Sequence, residues 1–343
     1  MEVLIREFQP GEEKEIKKIG LMAFKSIEGL FITKAKTAKV AVVDGKIVGA
    51  MQYKMISYGE KSFCYLEFAF VHPAYHGKGI GNQLYHETIE AVRAQGCEVI
   101  TALVKGDNIG SFGLIEKSGL KRCSFFELVR ILGVRGALTM FFKTEQNIAS
   151  GMDLYSTNVK EKTGSGKELG AYLFFNALIL FLAVWNQGGQ IFTYVASAMS
   201  VLLFTALIGS IICFISKRSW HFRMNNCGLF ITILVSLLGG VFPLIGRWYP
   251  DEYSMDQSAK KELCISAMIE WLGLIIAGSV IHALSPGGLY WRIVRMVIGC
   301  MLIYRLIPTY PFSEFGANRV WSYNKLLYVV MFATTLFLLG YVF

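Results

Sequence analysis

From about Leu169 onward the chain is a succession of apolar runs long enough to cross a bilayer, and this narrows its possible folds more than any other feature. Residues 1–165 instead read as a soluble domain of mixed charge. The uneven split accounts for a 343-residue chain that is 54% hydrophobic, too apolar overall for an ordinary soluble protein. Six spans are expected, at about 169–185, 191–215, 226–247, 263–284, 288–308 and 323–343. The loop 216–225 carries Lys217, Arg218 and Arg223 without an acid, whereas 248–262 holds Asp251, Glu252, Asp256 and Glu262 against two lysines. Starting from a head expected in the cytoplasm, 216–225 and both termini lie on the cytoplasmic face and 248–262 opposite, as the positive-inside rule prefers. The short turn Asn186 to Gln190 leaves a re-entrant pair as an alternative for the first two spans.

The head is organised around His76-Gly77-Lys78-Gly79-Ile80-Gly81, between an apolar run (Tyr65 to Val71) and a helix-like run (Asn82 to Ala94). A strand, a glycine-rich turn and a helix start let the backbone approach a ligand, and helix-start amides favour an anion. A pyrophosphate fits that description. The spacing matches neither a Walker loop nor a dinucleotide fingerprint. It resembles the Arg/Gln-x-x-Gly-x-Gly/Ala signature of the GCN5-related N-acetyltransferases, with His76 in the Arg/Gln place and Phe70-Val71-His72-Pro73 as the Val-x-Pro strand end. A second stretch, Asn108 to Leu120, is similar to that family's Asn-x-x-Ala/Ser-x-x-Leu-Tyr-x-Lys-x-Gly-Phe segment; Ile115 stands where the family has a Tyr that protonates the departing thiolate.

Taken in order, Val3 to Phe8 alternates as a strand and Gly11 to Phe24 reads as an amphipathic helix. Lys39 to Val43 and Ile47 to Met51 flank Asp44-Gly45-Lys46, a hairpin signal. Phe63 to Val71 is the central strand, Cys97 to Val104 another, and Arg122 to Leu132 and Ala137 to Lys143 read as the closing strands. The expected architecture is an α/β acetyltransferase fold, a mixed twisted sheet with flanking helices, over 1–150. A linker follows over 151–168, then an α-helical transmembrane domain over 169–343.

The body has a fainter resemblance, to the site-2 protease family of membrane metalloproteases. It rests on Leu306-Ile307-Pro308-Thr309-Tyr310-Pro311-Phe312, on Val320 to Lys325, and on Phe222 to Leu229. A zinc site would require His-Glu-x-x-His and a later Asp; the matching span has no histidine and Ser313 stands at the Asp place, so no metal is expected. His221 and His282 read as polar contacts of the bundle, and Glu270 lies three turns from His282.

The acetyltransferase resemblance implies acetyl-CoA as co-substrate, gripped by Phe70, Val71, His76, Gly77, Lys78, Gly79, Ile80, Gly81 and Asn82, with Asn108 facing the pantetheine and Ser111 keeping that helix face small. The Val71 amide would meet the thioester oxygen. Glu67, an acid in an otherwise apolar strand, is the candidate general base, against the alternative that it merely pairs with a neighbouring Lys. Tyr65, Tyr75 and Tyr85 each offer a phenol, and His72 reads as a loop residue. The net charge of +9 is spread without a basic stripe interleaved with aromatics, which argues against a nucleic-acid partner. The 7 cysteines include no C-x-x-C pair and read as small apolar residues in reducing surroundings. Met1 to Glu15 has both charge signs and no apolar core, unlike a signal peptide. The expected function is a membrane-anchored N-acyltransferase acting on an amine at the cytoplasmic face, with a non-catalytic acetyl-CoA sensor as the rival.

Overall fold

The computed structural model describes residues 2–24, 29, 31–32, 34–106, 108–160, 163–251 and 257–342. The chain divides into two compact units, 1–146 with 153–162, and 147–152 with 163–343. The loop acids Glu252 and Asp256 lie outside the described residues.

The first unit is a seven-stranded sheet in the order β1-β2-β3-β4-β5-β7-β6. Its leading strands are β1 (Leu4–Glu7), β2 (Ala38–Val43), β3 (Lys46–Tyr58) and β4 (Lys61–Val71), each antiparallel to the next. Asp44 and Gly45 both take positive φ (49° and 74°), which suits a two-residue hairpin turn to the twist of its strands. Helix α1 (Glu13–Ala23) buries Ile16 and Ile19 against Val40, Ile47, Ala50 and Phe70. Its apolar residues recur at helical spacing, so one face closes this core. Helix α2 (Ile80–Ala94) then leads to β5 (Ile100–Lys105), the one parallel neighbour of β4, and helix α3 (Ile109–Lys117) follows.

The end of this unit differs from the sequence expectation. In place of strands over 122–132 and 137–143 there is a two-residue β6 (Lys121–Arg122) and then a helix, α4 (Phe125–Lys143). Ser124 caps it, its hydroxyl accepting from the Glu127 amide at 3.2 Å. Apolar residues surround α4 on all sides, so the segment has no clear period by which helix and strand could be told apart. Gly133 interrupts it with φ 73° and ψ 169°. The strand that completes the sheet is β7 (Met152–Ser156), inside the stretch read as a linker. Asp153 there is fully buried and meets Arg122 Nε at 3.1 Å, so a charge that reads as solvated is paired in the core.

Among the described residues of the second unit, three helices are long and apolar enough to cross a membrane: α5 (Ser165–Ala183), the run Trp185–Ile215 that contains α6 (Ile191–Gly209) and α7 (Ile212–Ile215), and α9 (Gln257–Leu284). Shorter helices are α10 (Leu289–Tyr304), α11 (Ala317–Tyr323) and α12 (Lys325–Val342). The expected crossing at 226–247 is not a single helix. It holds α8 (Leu229–Leu237), too short to span, and is bracketed by β8 (Trp220–Met224) and β9 (Gly246–Pro250). These two strands pair from Trp220↔Pro250 to Met224↔Gly246. The loops that charge counting assigned to opposite faces are therefore hydrogen-bonded to each other, and the contrast between them carries no orientation.

Polar side chains inside apolar helices hold this irregular stretch. Glu168 of α5 accepts from the Met224 amide (3.0 Å) and Asn176 from the Leu244 amide (2.8 Å), while Trp248 Nε1 donates to the Ala206 carbonyl (2.8 Å). A backbone amide buried without a partner costs about 1–3 kcal/mol, which makes these side chains structural necessities.

Candidate active site

Strand β4 is where the two sides of the sheet separate. It pairs with β3 up to Val71, but its parallel ladder with β5 spans only Cys64↔Ile100 to Leu66↔Ala102. The His72 amide donates to the Val48 carbonyl at 2.7 Å, which fixes the alternation of the strand. The amides of Ala69 and Val71 consequently face away from β3, towards the side where the β5 ladder has ended. A carbonyl-bearing ligand laid beside β4 would meet them as donors.

At the end of β4 the chain turns through Gly77 (φ 75°) and Gly79 (φ 79°) into α2. A side chain would strain both positions, although a Cβ at either would meet nothing within 4 Å. The backbone conformation demands these glycines, and the space before them is open. Gly79 is the N-cap of α2 and supplies no side-chain cap. The first intrahelical amide is that of Gln83, bonded to the Gly79 carbonyl at 3.2 Å, so the Ile80, Gly81 and Asn82 amides start the helix without one. Together with the helix dipole they form a place for an anion.

The other residues expected around this loop divide by role. Ile80 and Phe70 are buried, and Phe70 stacks edge-on against Phe24 at 6.2 Å, so only their backbone can face a ligand. Gly81 serves packing: a Cβ there would stand 3.3 Å from Leu114 Cδ1 on α3. His76 Nε2 lies 2.8 Å from the Val71 carbonyl and ties the loop to the strand end rather than extending as an Arg or Gln would. Lys78 Nζ sits 4.8 Å from the Tyr75 ring centre, and His72 Nδ1 accepts from the Ala74 amide at 3.2 Å. Asn108 is the N-cap of α3, its Oδ1 accepting from the Ser111 amide at 3.2 Å; Ser111 is half-buried in the first turn.

Glu67 occupies the one irregularity of the β3–β4 ladder. The register shifts between Gln52 and Tyr53, which pair with Phe68 and Leu66, and leaves Glu67 as the extra residue. Such a bulge re-aims a side chain. The Glu67 carboxylate is 4% exposed and accepts from Lys54 Nζ at 2.5 Å; Glu145 approaches the same ammonium at 3.7 Å. Lys54 is the candidate-site residue that sequence reasoning did not name, because the β3–β4 register that brings it to Glu67 is shifted at this bulge and no local pattern shows the shift. Ile115 is 1% exposed in the core. Tyr65 and Tyr85 are buried, and burial pushes the Tyr85 phenol well above its usual range, leaving Tyr75 as the accessible phenol. A groove of about 570 Å³ also runs along α2 from Asn82 to Arg93, with Lys117 and Ser118 on its α3 side. Among the described residues no group of three or more His, Cys, Asp or Glu side chains could hold a metal ion.

Residues 3–120 match the acetyltransferase (GNAT) family. They form a GNAT acetyltransferase domain. A curated relative, acetyltransferase SG1711 of Sodalis glossinidius (strain morsitans), is 37% identical over 79 residues, which is 23% of this chain. The chain spans about half that relative's length, 52%. Among solved structures, a GNAT family acetyltransferase from Brucella melitensis in complex with acetyl-CoA is similar at 27% identity, over 33% of this chain and 82% of that one, with a TM-score of 0.28. The ribosomal-protein-S18-alanine N-acetyltransferase of Escherichia coli is similar at 14% identity over 47% of this chain and 97% of that one, with a TM-score of 0.34. The GNAT match ends at Leu120, so α4 and β7 lie beyond it, as does the whole second unit.

Proposed function

We propose that the protein is a membrane-anchored, acetyl-CoA-dependent N-acetyltransferase acting on an amine at the cytoplasmic face. One observation carries this reading: the uncapped start of α2, behind two left-handed glycines, lies at the end of a strand whose outward amides flank a short ladder. The amides from Gly77 to Asn82 would bind the pyrophosphate, with Lys78 as a nearby cation. The groove beginning at Asn82 offers room for the nucleotide end, and Asn108 and Ser111 line the pantetheine side. The Val71 amide would polarise the thioester carbonyl, so positioning by backbone supplies most of the rate. Glu67, directly or through water, would take a proton from the substrate ammonium, and the neutral amine so formed would attack the thioester carbonyl. Because Ile115 is buried and carries no proton, the departing thiolate would be protonated by water or by the ammonium intermediate.

A second reading, an acetyl-CoA sensor without turnover, is favoured by the same Glu67–Lys54 contact, since a carboxylate engaged by an ammonium has less capacity to accept a proton. Calorimetry with acetyl-CoA, followed by assay of free CoA released with a mixed amine pool, separates the two. Release supports the transferase; tight binding without release supports the sensor. Gly79→Asp places both a side chain and a negative charge at the anion position, and binding is expected to be lost. Unchanged affinity would remove the loop from the mechanism.

A further inference from the structure

Helix α4 has more apolar surface than its domain uses. Leu128, Leu132, Ala137 and Met140 are buried on its inner side, yet Phe126, Val134, Leu138 and Phe142 are exposed at 66%, 64%, 44% and 70%. Val134, Leu138 and Phe142 follow one another at four-residue spacing and form a single stripe after the Gly133 break. A helix on a water-facing surface ordinarily shows one apolar face, not two.

Charge narrows the identity of what covers this stripe. From Leu128 to Thr144 the sequence has Arg130, Arg135 and Lys143 and no carboxylate, and Arg135 and Lys143 are exposed. Arg130 is already engaged by Glu127 and by the Asn158 carbonyl at 2.9 Å. Aromatic and aliphatic side chains flanked by free cations suit the boundary between headgroups and acyl chains of an anionic bilayer, where Lys and Arg are attracted to the negative surface. Four exposed side chains fall short of the roughly 20–30 residues a side that a stable protein interface takes. The chain also reaches a membrane-length helix soon after: β7 ends at Ser156 and α5 begins at Ser165. The nine Cα–Cα steps between them, fully extended, reach at most about 32 Å.

We infer that the second half of α4 is an interfacial helix that lies in the anionic surface of a lipid bilayer, its stripe of Val134, Leu138 and Phe142 about 5–10 Å into the headgroup boundary. The inference rests on the reading that the second unit spans that bilayer.

The test uses the full chain reconstituted in vesicles of phosphatidylcholine and phosphatidylserine. Five of the seven cysteines are buried, so replacing the half-buried Cys213 and Cys300 with Ser leaves a background for single-site labelling. A polarity-sensitive fluorophore is attached in turn to Phe142→Cys, Leu138→Cys, Lys46→Cys on the β2–β3 hairpin, and Leu207→Cys on the exposed side of α6. Spin labels near the headgroup end of the acyl chains are then added. Blue-shifted emission and loss of fluorescence at 138 and 142, comparable to 207 and absent at 46, is the expected result. If 138 and 142 behave like 46 while 207 is quenched, the membrane reading survives and the interfacial helix is overturned. An unquenched 207 overturns both. Unquenched 142 that cross-links between copies also overturns it, identifying a dimer face instead.

Discussion

The candidate site of the first unit and the interior of the second use buried charge in opposite ways. In the GNAT domain the candidate ligand site is made chiefly of backbone, at the end of β4 and the start of α2, and the carboxylate beside it, Glu67, sits at a strand bulge next to a part-exposed Lys54. In the second unit the charges are deep inside: Glu270 accepts from Arg247 Nε at 3.1 Å and from Arg305 at 2.9 Å, with all three side chains under 5% exposed. Arg247 also donates to the Glu314 carbonyl at 3.2 Å, and Arg319 lies 4.6 Å from the centre of the Tyr249 ring. A carboxylate at a bulge is re-aimed off its strand, here beside a partner that solvent still reaches. A carboxylate shared by two enclosed guanidinium groups is placed to hold three chain segments together. The difference teaches that an acid in an apolar run is not by itself a catalytic signal; its partners decide.

That contrast can be broken at four points. The largest effect belongs to Glu67→Gln, which keeps size and hydrogen bonding but removes proton acceptance: turnover should fall by about 10²–10⁴-fold with acetyl-CoA affinity unchanged. Its residual rate should rise with pH as the free amine fraction grows, and wild-type turnover at every pH would make Glu67 structural. Next is Glu270→Ala, which leaves Arg247 and Arg305 uncompensated in the interior and should cost about 3–5 kcal/mol, read as a lower unfolding midpoint in detergent. A midpoint equal to wild type would show that water or lipid already reaches this cluster. Smaller is Gly81→Ala, whose Cβ presses on Leu114 at 3.3 Å. A gain of about 0.5–1 kcal/mol in helix propensity offsets that contact, so the unfolding midpoint should move little in either direction, and acetyl-CoA binding should change less than the packing of α2 on α3.

The smallest effect lies on the rim, in the pair of Arg6 with Glu12. The Arg6 guanidinium, followed by the Gln9 amide, holds the Glu12 carboxyl below its usual range, against the opposing pull of partial burial. A depressed carboxyl contributes stability above its unfolded value of about 4.3, and that stability is lost as pH falls through the lower folded value. Exposed pairs contribute about 0–1 kcal/mol. Hydrogen exchange of the α1 amides should therefore be slightly faster in Glu12→Gln than in wild type at pH 7. The difference should close in strongly acidic solution; one that persisted there would point to packing instead of charge.

The sequence alone determined what depends on neighbours along the chain. Asp44-Gly45 specified a hairpin because both residues tolerate positive φ, and the three closely spaced glycines after an apolar strand specified a turn into a helix with open amides. The change in composition near residue 165 marked where the apolar half of the chain begins, and long apolar runs marked α5, α6 and α9. Asn108 was legible as a helix cap because its short side chain reaches back to its own first turn. Tertiary structure decided everything that required a partner from elsewhere. The α4 segment is apolar on every side and has no period to reveal its helix, while β7 hides among small polar residues because Asp153 is neutralised by Arg122 across the strands. The pairing of β8 with β9 turns an apparent membrane crossing into a short helix between two strands, through backbone bonds that no hydropathy pattern encodes. Lys54 meets Glu67 only because the β3–β4 register is shifted by one residue between them. Period and turn chemistry are written locally, residue by residue, whereas register and the neutralisation of buried charge come into being only when distant segments pack.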